Sequence, residues 1–178
     1  MTPLQRPRPS EERAVLQSVV YAALFDYPLT LSQLREALIG QVADEATIMR
    51  WFNSSAYLQR TVEYADGYFF PRGRRDLLRT RERREATSRT LLAELANPLR
   101  IITHMPFVRM VALSGSLAHL NADADADLDL FVITSPHRVW TTMVATLALA
   151  RVLGWRKRLC LNYVISERAL WIAPADLF

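Results

Sequence analysis

The stretch from Val111 to Ile133, Val-Ala-Leu-Ser-Gly-Ser-Leu-Ala-His-Leu-Asn-Ala-Asp-Ala-Asp-Ala-Asp-Leu-Asp-Leu-Phe-Val-Ile, constrains the fold more than any other part of the chain. An apolar run, Val108 to Leu113, reads as a buried strand and ends at Ser114-Gly115-Ser116. A polar loop follows, and a second apolar run opens on Asp127-Leu128-Asp129 and continues to Ile133. In a strand, residues i and i+2 share a face, with Cα atoms about 6.6 Å apart. Asp127 and Asp129 therefore converge on one side, while Leu128 and Leu130 turn to the other side and into a core. A chain that carries this pattern must build a sheet with one wet and one dry face.

Each half of the stretch has a chemical reading. Glycine lets the backbone approach a ligand closely. A helix starting at Leu117-Ala118 would present free N–H groups to an anion, with the Ser116 hydroxyl as a further donor. That combination suits a di- or triphosphate. Two carboxylates this close repel each other, and a divalent cation between them removes the repulsion. Hard oxygen ligands suit Mg²⁺, which takes one or two carboxylates plus substrate phosphates, with Mn²⁺ as the alternative. Ser116 and Asp127 lie eleven residues apart, on adjacent elements. Phosphate cradle beside metal clamp is an arrangement for phosphoryl or nucleotidyl transfer. Alone, Ser-Gly-Ser would be a turn and the Asp-rich segment a solvated loop. The flanking strands and the alternation through Asp127 and Asp129 decide otherwise. Asp123 and Asp125 stay loop residues.

Upstream, Glu11 to Leu24 has helical spacing of apolar residues and stops before Tyr27-Pro28. Thr30-Leu-Ser-Gln33 fits a capping box for a second helix to about Ile39, near Gly40. Asp44 caps a third helix, Glu45 to about Ser54. Leu58 to Tyr64 and Tyr68 to Phe70 flank Asp66-Gly67, a strong hairpin signal. Three helices and a hairpin describe a winged helix-turn-helix over 10–71. A basic linking helix over 72–99 follows, running from Asp76 to Ala96 and interrupted at Pro98, where a shorter piece leads to His104. From about 100 to 178, strand and helix alternate: Val139 to Leu153 as a buried helix closed by Gly154, Leu159 to Ile165 as a strand, and Glu167 to Trp171 as the start of a short element. The class is α+β.

Charge and composition narrow the rest. The 51% hydrophobic and 22% charged shares fit a folded chain rather than a disordered one. With Cys160 as the lone cysteine, an intrachain disulfide scaffold is excluded, and a cytoplasmic location is expected. The first residues lack the apolar core of a signal peptide and read as a short mobile leader. The most apolar stretch, Val139 to Leu153, falls short of the roughly 20 residues needed to cross a bilayer, so no membrane partner is expected. The net charge of +4 comes from one segment: between Arg72 and Arg89 stand eight arginines against Asp76, Glu82 and Glu85. Arg79, Arg83 and their neighbours are candidates for contact with RNA or DNA. The third helix, with Asp44 and Glu45 against Arg50, is a poor surface for a phosphate backbone. Its unit serves packing or dimerisation instead, and an oligomer is compatible with this. His104, His119 and His137 have no ligand spacing with Cys160, which reads as a small buried side chain.

The run from Gly115-Ser116 through Asp127-Leu-Asp129-Leu-Phe-Val resembles the signature of the DNA polymerase β-like nucleotidyltransferase superfamily. That signature is a strand ending in Gly-Ser, about ten residues, then Asp-apolar-Asp opening the next strand. The match covers about 25 residues. The Phe25-Asp-Tyr-Pro-Leu-Thr30 motif resembles a prokaryotic group that carries this domain behind a winged helix. The resemblance implies a mixed sheet with flanking helices and Mg²⁺-dependent transfer of a nucleoside monophosphate from a nucleoside triphosphate. It implies that Gly115 and Ser116 hold the triphosphate and that Asp127 and Asp129 bind the metals. The sequence departs from the pattern at His119-Leu120, where Arg-Gly is frequent, and at Ala126, where Ser is. The superfamily's third carboxylate, on a later strand, is replaced by Asn162, which ligates weakly and cannot act as a base. Three outcomes stay open: catalysis on two carboxylates, substitution by Glu167 or another acid, or loss of activity. The alternative function is a catalytically weak nucleic-acid-binding or regulatory module that keeps the fold.

Overall fold

The computed structural model describes residues 7–171. The sequence reading of the first nine residues as a leader falls outside the described residues over 1–6 and is corrected at its end, where Arg8 caps and Pro9 opens the first helix; the chain beyond Trp171 also lies outside them. The described chain mixes helices with two separate three-stranded sheets. It divides into two compact units, the first ending at Arg83 and the second beginning at Arg84. The boundary falls within the basic helix. No helix among the described residues is long and apolar enough to cross a membrane.

In the first unit, α1 (Pro9–Ala23) starts with proline in its first turn, where the missing N–H costs nothing. The Glu11 carboxylate accepts from the Arg8 amide at 2.7 Å and from its guanidinium at 2.8 Å. A two-residue strand, β1 (Leu29–Thr30), leads into α2 (Leu31–Glu36). The capping box forms as expected: the Gln33 amide donates to Thr30 Oγ1 at 3.2 Å, and the Thr30 amide donates to Gln33 Oε1 at 3.1 Å. The helix ends three residues before Ile39, whose amide donates instead to the Ser18 hydroxyl at 3.0 Å. Asp44 caps α3 (Glu45–Ser54) by accepting from the Thr47 amide at 2.8 Å.

Leu58 to Thr61, expected as strand, form the last four residues of a helix, α4 (Ala56–Thr61). The buried Ser55 explains the difference. Its hydroxyl accepts from the Leu58 amide at 3.1 Å and donates to Glu12, so helix capping wins locally over the apolar run. Then β2 (Val62–Ala65) and β3 (Tyr68–Pro71) pair antiparallel around Asp66-Gly67, both with positive φ, as a tight two-residue hairpin requires. The sheet order is β1-β3-β2. Val15, Val19, Leu34, Ile48, Leu58, Val62 and Phe69 fill the core.

The basic helix is α5 (Asp76–Glu94). After the boundary come α6 (Ala96–Thr103), with Pro98 in its first turn, β4 (Val108–Leu113), the single turn α7 (Gly115–Ala118) and β5 (Leu128–Thr134). Then follow α8 (Val139–Val152) and β6 (Leu159–Ser166). β4 runs antiparallel to β5, and β6 runs parallel to it, because α8 carries the chain back across the sheet. The sheet is therefore mixed. Leu128, Leu130 and Val132 face a core shared with Leu91, Ile102, Leu117 and Ala150. Asp129, Phe131 and Ile133 alternate to the other face.

Two expectations are corrected here. α8 is only half buried: Thr142, Thr146 and Ala150 face inward, and Trp140 is 74% and Val152 81% exposed. Its small inward residues let the helix lie close to the sheet, and its apolar bulk points away. Glu167 and Arg168 form a turn after β6, closed by the Ala169 amide on the Ser166 carbonyl, and no further element begins by Trp171.

Candidate functional site

The site is built where β4 ends and β5 begins. The Ser114 amide donates to the Asp129 carbonyl at 2.9 Å, which fixes the end of β4 on the mouth of β5. The chain then turns sharply at Gly115, with φ +65°. A Cβ at this position would run into Oδ2 of Asp129 and stand 2.9 Å from its Cγ. Glycine is required twice over, for the backbone angle and for the contact with the carboxylate. Leu117 drops into the core and anchors the turn, while Ser116 stays half-buried beside it. The Asn121 amide comes back to the Ser116 carbonyl at 2.9 Å.

The loop leading to Asp127 is tied to α5. The Ala122 amide donates to the Ser88 hydroxyl at 3.0 Å, with both residues fully buried. Arg84 grips Asp123 through two hydrogen bonds, at 3.0 and 3.3 Å. Asp123 is thus a structural anchor, consistent with its reading as a loop residue. Neither Ser88 nor Arg84 was singled out by sequence, although Arg84, Ser88 and Leu91 carry helical spacing.

Asp127 is exposed and Asp129 half-buried. In register with Asp129 on β6 lies Cys160. Burial pushes the Cys160 thiol up, and so do its hydrogen bond to Asp129 and the charge of Asp127. Asp129 thus touches the thiol, while Asp127 acts on it only through its charge. The thiol stays protonated at neutral pH and is no nucleophile. Its single S–H is shared between Asp129 and Asn162, whose Oδ1 lies 3.2 Å from Sγ, and Asn162 Nδ2 donates to the Ser114 hydroxyl at 3.2 Å. The structure therefore brings Gly115, Asp129 and Asn162 together, with Ser114 and Cys160 added.

Strand alternation predicts Cys160, Asn162 and Val164 on one side and Leu161 and Tyr163 on the other. A register shift between Leu130 and Phe131 overturns the second half of that pattern. Leu161 pairs with Leu130, but Phe131 pairs with Tyr163, so Asn162 is the extra residue of a bulge. Beyond it the faces exchange: Val164 packs on the core with Leu161, and Tyr163 meets Phe131 on the face of Asp129. Glu167 does not supply a third carboxylate. Its amide bonds to the Thr134 carbonyl at the far end of β5, and its side chain pairs with Arg109 at 3.3 Å. Among the described residues no group of three or more His, Cys, Asp or Glu could hold a metal ion by itself.

The arginine-rich segment is largely engaged within the chain. Arg74 pairs with Asp76 and Asp26, Arg75 with Glu63, and Arg89 with Glu85. Arg72 donates to the Gln59 carbonyl, and Arg81 is buried with its guanidinium 3.7 Å above the Tyr27 ring. Arg79 and Arg83 are both exposed.

Comparison of the chain with protein-family models, with curated proteins and with solved structures returns no match.

Proposed function

We propose that this chain is a metal-dependent nucleotidyltransferase that moves a nucleoside monophosphate from a nucleoside triphosphate to an acceptor. One observation carries the reading. The Gly115 backbone lies so close to the Asp129 carboxylate that no side chain fits between them. A phosphate on the Ser-Gly-Ser turn would then meet the carboxylate pair directly. The donor set fits Mg²⁺ or Mn²⁺: two hard carboxylates, one exposed and one half-buried, complete their shell with substrate phosphates. Asp127 and Asp129 would hold the ion, which supplies Lewis-acid stabilisation of the charge on the transferring phosphoryl group. Ser116 donates to the phosphates. Asn162 cannot take a proton, so the acceptor's proton falls to the carboxylate pair or to water. In this reading the second unit is a polymerase-β-like nucleotidyltransferase domain. The first is a winged helix-turn-helix, supported by its order of three helices, a short helix and a hairpin joined by β1. Arg79 and Arg83 are its exposed candidates for RNA or DNA.

The test is incubation with each labelled nucleoside triphosphate, with and without Mg²⁺. Wild type should bind or transfer only with the ion. Asp129→Asn should abolish transfer while the far-ultraviolet circular dichroism spectrum and melting temperature are kept. Full activity in that variant overturns the assignment. Asn162 favours a second reading, a catalytically weak nucleic-acid-binding or regulatory module. Metal-dependent triphosphate binding without transfer to any acceptor would select it.

A further inference from the structure

We propose that Phe131 and Tyr163 form the floor on which the base of the bound nucleoside triphosphate stacks. The inference rests on the nucleotidyl-transfer reading and adds the base-binding subsite to it. Phe131 lies two residues beyond Asp129 on the same face of β5, about 6.6 Å along the strand. Tyr163 is its register partner on β6, and the two rings are 5.9 Å apart with a 41° tilt. A nucleotide whose phosphates lie at Gly115 and the carboxylates needs a surface for its base about one sugar away, and Phe131 follows Asp129 on the same strand face.

The local construction argues for a purpose beyond packing. Without the bulge at Asn162, alternation would send Tyr163 into the core. With it, the ring is turned out and left 59% exposed beside the carboxylates. Bulges recur next to active sites because they re-aim a side chain in this way. The neighbour of Phe131 on β4 is Ala112, too small to cover the rings, and Met110 beyond it is 44% exposed. The face is apolar and partly exposed at this place, and it begins two residues beyond Asp129. Every base has a π-face, so an aromatic floor binds a base without a hydrogen-bond code.

Titration of the full chain with ATP and with inorganic tripolyphosphate, both with Mg²⁺, tests this. Wild type should bind ATP more tightly than tripolyphosphate. Tyr163→Ala should weaken ATP binding about tenfold and leave tripolyphosphate affinity unchanged, with at most a small drop in melting temperature from the lost Phe131 contact. Tyr163→Phe should retain the preference for ATP. Equal ATP affinity in wild type and Tyr163→Ala overturns the inference, even if the variant raises the KM of an acceptor. So does a wild type that does not distinguish the two ligands. Failure of wild type to bind either ligand removes the nucleotidyl-transfer reading itself, and this inference with it.

Discussion

Gly115 and Gly67 both have positive φ, yet they respond to different constraints. Space around Gly67 is open, so Gly67→Ala meets only the backbone cost of a left-handed residue, about 1 kcal/mol. Gly115→Ala meets that cost and must also displace the Asp129 carboxylate. We expect Gly115→Ala to destabilise by about 2 kcal/mol or more and to lose divalent-cation binding, read by urea denaturation and by calorimetric titration with Mn²⁺. Equal loss of stability in the two variants would show that the close approach is not tight. Asn162→Asp tests the opposite change. A third carboxylate beside Asp129 and Cys160 should raise metal affinity and lower the melting temperature without metal, since like charges then stand uncompensated. The carboxylate pair was legible in the sequence because period-two alternation is read directly from Asp127-Leu-Asp129-Leu. The face of Tyr163 was not legible. One inserted residue reverses every side chain after it, and nothing in Leu159 to Ser166 marks where the extra residue sits.

Elements were legible where capping chemistry and hydrophobic period agreed. Thr30 with Gln33 and Asp44 before Glu45 began α2 and α3 as read. At Ser55 the two signals disagreed, and the cap won. β1 is two residues long, too short to carry a period. The hydrogen bonds from Thr47 hold the Asp44 carboxyl below its ordinary range. A lowered folded-state pKa stabilises above the unfolded pKa, and the contribution disappears as pH falls through the folded value. Asp44→Asn keeps a capping oxygen but loses the charge at the helix N-terminus. Wild type should therefore melt higher than Asp44→Asn at neutral pH, and the gap should close below about pH 4. A gap that persists in acid excludes the carboxylate as its source. The inward side of α5 was missed because its inward residues at Arg84 and Ser88 are polar. Ser88→Ala leaves the buried Ala122 amide without its acceptor, an expected loss of about 1–3 kcal/mol. Hydrogen exchange should accelerate over 120–126, and cation binding should weaken because that loop delivers Asp127. Unchanged exchange there would show that the Arg84–Asp123 pair alone fixes the loop.

For the whole molecule, the basic segment raises the question of how many charges are available to a polyanion. Counted from sequence, eight arginines stand between Arg72 and Arg89. In the fold, Arg72, Arg74, Arg75, Arg81, Arg84 and Arg89 are among those that engage backbone, carboxylate or ring partners, and Arg79 and Arg83 are candidates by their exposure alone. Sequence shows the charge of such a segment but not its partners, because Asp26, Glu63 and Asp123 reach it only through the fold. A second basic run lies after the carboxylates: no acidic residue stands between Asp129 and Glu167, while Arg138, Arg151, Arg156, Lys157 and Arg158 do. Salt dependence separates these sources. Each neutralised phosphate on duplex DNA contributes about −0.9 to the slope of log K against log salt. If Arg79 and Arg83 carry the contact, the slope is about −2, and if the whole arginine segment does, it is about −7. Fluorescence anisotropy with a short labelled duplex, repeated across salt concentrations, measures it. We expect the shallow slope, and Arg79→Gln and Arg83→Gln should each reduce it by about one. A steep slope unaffected by both variants would move the polyanion contact to the basic run after Asp129. It would also place that contact in the unit that carries the candidate site, where a nucleic acid would stand as acceptor rather than as an anchor for the first unit.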